Sequence, residues 1–433
     1  MLVYTTSITP RLQYIFQFIG NEIVGEKFQF TTEAEAFKQY QESKINYSSE
    51  PLSEQEFYLS PHSILFEKTV TPQSISCFVS DGTKAFFPTK GEFPFDIFAA
   101  SFYLLSRYEE YLPYQPDAYG RYAFENSLAY KEGFLHQPLI NTWLVLFKEA
   151  LKKKFPSLAI KTSSFMFLPS YDIDIAWSYR YKGWWRNMGG LIRSLLTGKI
   201  KEWKERMAVT LKKQKDPYDA YGWMNQLHEK YKLRPYYFFL LAKHTGRYDK
   251  NISPAEPAMK ALVYDHVIRY PVGIHPSWRS GDDPSLLKEE IDTMRKITGT
   301  DIQSSRQHYI RFALPETFRR LTDLGIRFDF SMGYGSVNGF RASVASAFYW
   351  YDLLNEKQTE LLLFPFCFMD ANCFYEQKYT TQQALDEMRQ YYQAVKNVNG
   401  TFIMIWHNSF LGTDPLFNGW KDIYEQFIKE ISV

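Results

Sequence analysis

Cysteine is scarce: Cys77, Cys367 and Cys373 are the three in 433 residues, too few and too scattered for a disulfide framework or a thiolate metal cluster. They read as reduced, buried thiols, and with them goes an expected cytoplasmic location. No apolar run reaches the ~18 residues that cross a bilayer. The N-terminus, Met-Leu-Val-Tyr-Thr-Thr-Ser-Ile-Thr-Pro-Arg, has no basic stretch ahead of a long apolar core, so no signal peptide is read there. Charge of one sign is missing too. Fifty Lys and Arg against 48 Asp and Glu leave a net +2, which excludes a global nucleic-acid-binding footprint. A glycine-rich phosphate loop is also lacking, since Gly189-Gly190 stands alone.

What is present is a chain that is 45% hydrophobic and 18% aromatic, long enough for two domains or for one barrel with an extra domain. Residues 1–162 read as one α/β unit. Arg11 to Phe16 and Lys27 to Thr31 look strand-like, followed by a helical Thr32 to Ser43. In Phe93 to Tyr111 the residues Phe95, Phe98, Phe102 and Leu105 recur at helical spacing. A helix from Ile140 ends in Lys152-Lys153-Lys154, which suits the negative end of its dipole. Arg107, Glu109 and Glu110 read as a solvated helix end. No catalytic grouping shows in this part.

From 163 the rhythm changes and runs to 433. Strand-like runs at Phe165–Pro169, Pro235–Leu241, Tyr270–Ile274, Asp301–Ser305, Gly325–Phe330, Leu361–Phe368 and Thr401–Trp406 alternate with helical patterns near 218–231, 255–268, 284–297, 315–324, 380–397 and 416–430. Such alternation predicts a parallel sheet with helices outside. Polar residues follow strand after strand, and a barrel would gather those ends at one mouth. The connection after the first strand is unusual. Residues 180–215 carry eleven Lys/Arg against two Glu, a net +9, interleaved with Trp184, Trp185, Leu191, Ile192, Leu195, Leu196 and Trp203. A solvated hairpin packing on the barrel is its bland reading, and a membrane-surface helix or an anionic-ligand lid its functional one.

The most informative stretch is Ser164-Phe-Met-Phe-Leu-Pro-Ser-Tyr-Asp172-Ile-Asp174-Ile-Ala, an apolar run ending in two carboxylates one residue apart. Buried strands look like this. Side chains alternate along a strand, so Asp172 and Asp174 share a face, about 7 Å apart. Such a pair repels unless a cation or a proton lies between, which leaves a metal, a shared proton, or a base beside a metal. His275, His308 and His407 each follow a strand-like run. Two imidazoles and a carboxylate form an open facial set suited to zinc or another divalent ion. A second carboxylate can then take a proton from water, and a third histidine can protonate a leaving amine.

These motifs, in their order along residues 165–410, resemble those of the polysaccharide deacetylase (NodB-homology) family. The two-part chain is similar to a bacterial branch with an extra N-terminal α/β domain. Ser170-Tyr171-Asp172-Ile173-Asp174 is similar to the family's aspartate pair, and Gly273-Ile-His275-Pro-Ser-Trp-Arg279 to the first half of its histidine motif. Arg306-Gln-His308-Tyr309 is similar to its arginine motif, and Ile403-Met-Ile-Trp-His407 to its last. Two departures stand out: Ile173 separates aspartates that are usually adjacent, and Trp278 or Arg279 stands where a second histidine is usual.

The resemblance implies a distorted (β/α)7 barrel preceded by a smaller α/β domain. It implies a metal-dependent hydrolase that removes an acetyl or similar acyl group from an N-acylated sugar or sugar-linked intermediate. Asp172 is then the base, held by Arg306, and His407 the acid. Asp174, His275 and, in place of the missing histidine, His308 are the ligands of a divalent metal, zinc first with cobalt or nickel as alternatives. Tyr309, Trp278 and Arg341 fall on the substrate side, with Asp329 near the mouth. Expected partners are a sugar, sugar-phosphate or lipid-linked substrate and a peripheral membrane contact through 180–215, with no nucleic acid. The alternative is a catalytically impaired barrel that binds carbohydrate or a partner.

Overall fold

The structure, a computed structural model, describes residues 1–432. Its first 60 residues build a four-stranded parallel sheet in the order β2-β1-β3-β4, from β1 (Leu2–Thr5), β2 (Gln29–Thr31), β3 (Lys44–Tyr47) and β4 (Phe57–Leu59). Helices α1 (Pro10–Ile23) and α2 (Ala34–Gln39) connect the first three strands. The strand expected over Arg11–Phe16 is overturned. Thr9 caps the backbone N–H of Leu12, Pro10 opens the first turn, and the buried Leu12, Ile15, Phe16, Ile19 and Ile23 recur at helical spacing. A short hairpin, β5 (Phe78–Ser80) and β6 (Thr83–Ala85), precedes α3 (Ile97–Leu105), α4 (Leu128–Lys131) and α5 (Leu139–Lys154). The pattern over 93–111 yields only the short α3. Asp96 caps it on the Ala99 N–H, and Arg107 follows in left-handed backbone at φ 54°.

The second sheet starts at β7 (Met166–Ile173), whose continuous apolar run is that of a strand buried on both faces. The hairpin α6 (Trp184–Leu196) and α7 (Ile200–Thr210) and the helix α8 (Tyr221–Tyr231) lead to β8 (Tyr236–Leu240). Then come α9 (Pro257–Val267), β9 (Val272–His275), α10 (Pro284–Thr298), β10 (Ser304–Ser305), α11 (Glu316–Asp323) and β11 (Phe328–Asp329). The chain closes with β12 (Phe348–Asp352), β13 (Lys357–Leu363), β14 (Phe368–Met369), α12 (Thr381–Asn397), β15 (Thr401–His407) and α13 (Trp420–Ile431). The strand order is β12-β13-β11-β10-β9-β8-β7-β15-β14, parallel throughout except for the antiparallel pair β12–β13.

This sheet is strongly curled. Strands β8 and β11 stand three places apart, about 14 Å in a flat sheet. Yet the ring of Phe330, one residue past β11, lies 5.1 Å from Phe238 and 4.8 Å from Tyr236 on β8. One run of chain almost spans the remaining gap. It pairs with β11 along β13, continues as Phe364 N–H to Asp329 O, and ends beside β15 through Cys367 N–H to Ile403 O and the β14 ladder. No ladder joins the edge strands β12 and β14 among the described residues, so the hydrogen bonds themselves do not form a closed barrel.

One buried apolar cluster runs through both sheets. Its joint is the β12–β13 hairpin: Tyr351 packs on Tyr14 of α1 and Phe102 of α3, and Tyr14 donates to the Tyr349 carbonyl. A second joint is ionic and corrects two expectations. Arg107, Glu109 and Glu110 are buried, not a solvated helix end. Arg341, expected at the substrate mouth, is buried against them. Its Nε and Nη2 donate to both oxygens of Glu110, Nη1 donates to the Gly333 carbonyl, and Phe312 stacks on the guanidinium. A planar fork matched to a buried carboxylate is held for structure, and the side chain is buried away from the mouth.

Candidate metal centre

Alternation along β7 sorts its residues into two environments. Tyr171 points outward, where its hydroxyl meets His228 Nε2 at 2.8 Å and Tyr424 of α13. Ser170 and Asp172 point into the curl. There Arg306, just past β10, crosses the interior and donates from Nη1 to Asp172 Oδ1 at 2.7 Å and from Nη2 to Ser170 Oγ at 2.8 Å. Phe238 lies under its guanidinium at 4.3 Å. Asp329 is drawn inward as well. It accepts from Ser305 and Ser331, and burial pushes its carboxyl up to about 6 against those bonds, so it ties β10 to β11 instead of reaching the mouth.

Asp174 follows β7 at the mouth, and three histidines from other strand ends surround it. Nε2 of His275 lies 3.2 Å from Asp174 Oδ1, and Nε2 of His308 and His407 lie 3.4 and 3.6 Å from Oδ2. Each ring is fixed at its other nitrogen. His275 Nδ1 donates to the Arg306 carbonyl at 2.5 Å, His308 Nδ1 to Asp249 Oδ1 at 3.0 Å, and His407 Nδ1 to Asp370 Oδ1 at 2.6 Å. A carbonyl or carboxylate can only accept, so the proton sits on Nδ1 and the Nε2 face is left toward Asp174. Asp174 Oδ1 is buried without a hydrogen-bond partner among the described residues, although His275 is close: the ring nitrogen and the oxygen approach without hydrogen-bond alignment. Ligating atoms of Asp174, His275 and His308 all lie within 4.8 Å of one another. A carboxylate with one orphaned oxygen, two imidazoles turned onto its two oxygens, and a partner fixing each imidazole from behind are what a divalent ion of the zinc type requires.

The electrostatics agree. Burial opposes ionisation of Asp174, but His308 and His407 outweigh it and hold the carboxyl well below its ordinary range. Burial likewise opposes charge on His308, yet Asp174 and Asp249 raise it to about 9. His407 is raised to about 10 against burial, by Asp370 and then Asp174. Carboxylate charge here exceeds what Arg306 balances, and protons on histidine make up the difference. A dication would take over that role at His308.

A cavity of about 630 Å³ opens over the cluster, with Asp172, Asp174, His275, His308 and His407 in its floor. Tyr309 lines it, with left-handed backbone at Tyr309 and Ile310 turning the ring over His308. Trp278 does not line it; that ring stacks behind Tyr248 at 4.0 Å and supports the wall. Sequence reasoning missed Asp249, which sits in a loop with no strand-like run before it. It also gave Asp370 no role and saw no part for the first 162 residues. Tyr119 and Arg121 reach into the cavity wall, and Arg121 donates to the Tyr309 carbonyl at 2.6 Å. Only glycine at 335 leaves room for that guanidinium.

Comparisons with known proteins add three findings. Residues 1–156 match a family of unknown function, DUF7033. No curated protein matches the chain. Among solved structures, the chain is similar to a Mycobacterium smegmatis protein provisionally assigned as a polysaccharide deacetylase, with 10% identity and a TM-score of 0.40, covering 63% of this chain and 85% of that one. The Bacillus cereus polysaccharide deacetylase Bc1974 shows 11% identity and a TM-score of 0.29 over 62% of this chain and 88% of its own. A BA3943 mutant, a CE4 family pseudoenzyme with restored enzymatic activity, shows 10% identity and a TM-score of 0.31, over 62% of each chain. Values this low leave the assignment of function to the chemistry of the site.

Proposed function

We propose that the chain is a metal-dependent hydrolase that cleaves a non-peptide C–N amide bond, removing an acetyl or similar acyl group from a sugar or sugar-linked substrate. The observation that supports it is the convergence of three Nδ1-anchored imidazoles on Asp174 beside the Arg306-held Asp172. Asp174, His275 and His308 would hold the metal, zinc or else cobalt or nickel, which supplies Lewis acidity toward the amide carbonyl and a water. Arg306 engages Asp172 Oδ1, and Oδ2 faces the cluster, 3.8 Å from His275 Nε2, free to accept a proton from the attacking water. His407, anchored by Asp370, presents its Nε2–H to the nitrogen of the departing amine. Tyr119, Tyr309, Tyr375 and Phe410 offer flat rings to the C–H faces of a sugar, and Lys250 a cation for a phosphate. The curled sheet is read as the broken barrel that this chemistry uses. Residues 1–162 are read as an accessory part that completes the wall through Tyr119 and Arg121, and the location as cytoplasmic.

Protein reconstituted with zinc, cobalt or nickel should release acetate from N-acetylated sugars in free, nucleotide-linked or lipid-linked form. Asp172→Asn should lower turnover by about 10²–10⁴-fold while the metal stays bound. Bound metal with no acyl release from any of these forms would favour the alternative, a barrel that binds carbohydrate or a partner without cleaving it. Full turnover in Asp172→Asn would overturn the base assignment.

A further inference from the structure

The α6–α7 hairpin is built inside out for a soluble protein. At 100° per residue, Trp184, Trp185, Ile192, Leu195 and Leu196 fall on one arc of α6, about 120° wide. All five are at least half exposed, with Trp185 at 81% and Leu196 at 83%. The opposite side makes the contact with α7. There Gly190 packs on Arg206, Ser194 Oγ meets Glu202 at 3.1 Å, and Arg206 Nη2 donates to the same glutamate. The apolar arc is therefore left largely uncovered by the described residues. Around it, Arg193, Lys201, Lys204, Lys212 and Lys213 are exposed and have no carboxylate within ion-pair distance among the described residues. Residues 180–215 carry +9, so the remainder of a +2 chain carries −7. Electropositive charge is concentrated on the one element that also exposes aliphatic and indole side chains.

We propose that this hairpin docks on the surface of an anionic lipid bilayer, the indoles and leucines entering the interface and the lysines meeting acidic headgroups. No helix of the described chain is long and apolar enough to cross a membrane. A basic amphipathic face with paired tryptophans is the feature that lies in the interface instead. A second protein surface fits less well, because it would have to be both acidic and strongly apolar over the same patch. The hairpin is also fixed relative to the cavity. The Asp216 carboxylate accepts from the backbone N–H groups of Ser178, Tyr179, Arg180 and Tyr218 at its root. Arg186 donates to the carbonyls of Lys250 and Asn251, and Lys250 and Tyr218 line the cavity. Docking thus places the cavity at the bilayer surface. If the hydrolase reading holds, the acylated sugar is then one carried on a lipid; this last step rests on that reading, and the docking does not.

Vesicle co-sedimentation of the full chain tests it, with vesicles of phosphatidylcholine alone and mixed with phosphatidylserine. At low salt the mixed vesicles should bind at least about tenfold more tightly, and added salt should remove the difference. Trp185→Ser with Leu196→Ser, and separately Lys201→Glu with Lys204→Glu, should each abolish binding. These side chains are exposed, so folding and metal content should not change. No binding of the unaltered chain to the mixed vesicles overturns the proposal, as does binding that survives both double variants. Loss of a dimer in light scattering by the same variants, without vesicle binding, would assign the face to a second copy. Metal binding and hydrolysis of a soluble acetylated sugar are measured on the same variants, so a failure of docking is distinguishable from a failure of the hydrolase reading.

Discussion

Two groups of histidines, buried or largely so, lie on opposite sides of one curled sheet. Outside, His228 and His266 sit among Tyr171, Tyr237 and Tyr270 with no carboxylate in ion-pair distance among the described residues. Burial is the main cause that lowers them, His228 to about 3 with help from His266, and His266 to about 4. At the mouth, burial works in the same direction but loses to carboxylates, and His308 and His407 rise to about 9 and about 10. Residue type and burial are shared; the facing charge differs. A histidine kept neutral by apolar packing is a core residue with a polar handle. One held at Nδ1 by an acceptor and turned with Nε2 onto an orphaned carboxylate is poised for a cation or a proton transfer.

Breaking the mouth group should have the largest effect. Asp174→Asn removes the ligand the three rings share, and zinc affinity measured by calorimetry should fall by more than about 100-fold, beyond what a supporting group contributes. Because His308 and His407 hold this carboxylate well below its ordinary range, the substitution should also cost some fold stability near pH 7, so affinity is measured under conditions where the variant is folded. Asp249→Asn leaves the ligands in place but loosens His308, and the same titration should show a loss of about 10–100-fold. An Asp249→Asn chain that binds zinc at full strength would mean that His308 is oriented by packing alone.

The outer group gives the smallest effect and an opposite signature. His228 and His266 bind a proton more readily unfolded, near pH 6.5, than folded, so stability falls as pH drops below 6.5 and keeps falling to about 4 for His266 and about 3 for His228. At pH 5.5 the loss is about 1.4 kcal/mol per histidine. Denaturant midpoints compared at pH 7 and 5.5 check it, and His266→Gln should flatten the slope. An unchanged slope in that variant would show that His266 is not kept neutral.

The sequence shows this arrangement unevenly, for physical reasons. Parallel strands buried on both faces leave continuous apolar runs, so β7, β8, β9 and β15 were legible, as were the polar residues at their ends. The β12 strand was missed because Phe-Tyr-Trp-Tyr-Asp carries no alternation, being covered on its second side by α1 and α3. Arg341 was misplaced because its partner Glu110 lies 231 positions away, and a charge alone does not say whether it will be buried. Asp249 and Arg121 act from loops, where spacing carries no period to read. His308 could be placed by its neighbour Arg306, but not its tautomer, which depends on Asp249.

The central claim is that Asp174, His275 and His308 converge on one divalent ion. Anomalous diffraction at the zinc edge, on crystals of zinc-reconstituted protein, tests it most directly. The account predicts one strong peak within ~2.0–2.3 Å of Asp174 Oδ, His275 Nε2 and His308 Nε2 together. A stoichiometric zinc bound elsewhere, or a peak that touches His275 but leaves His308 on Asp249 alone, would contradict it.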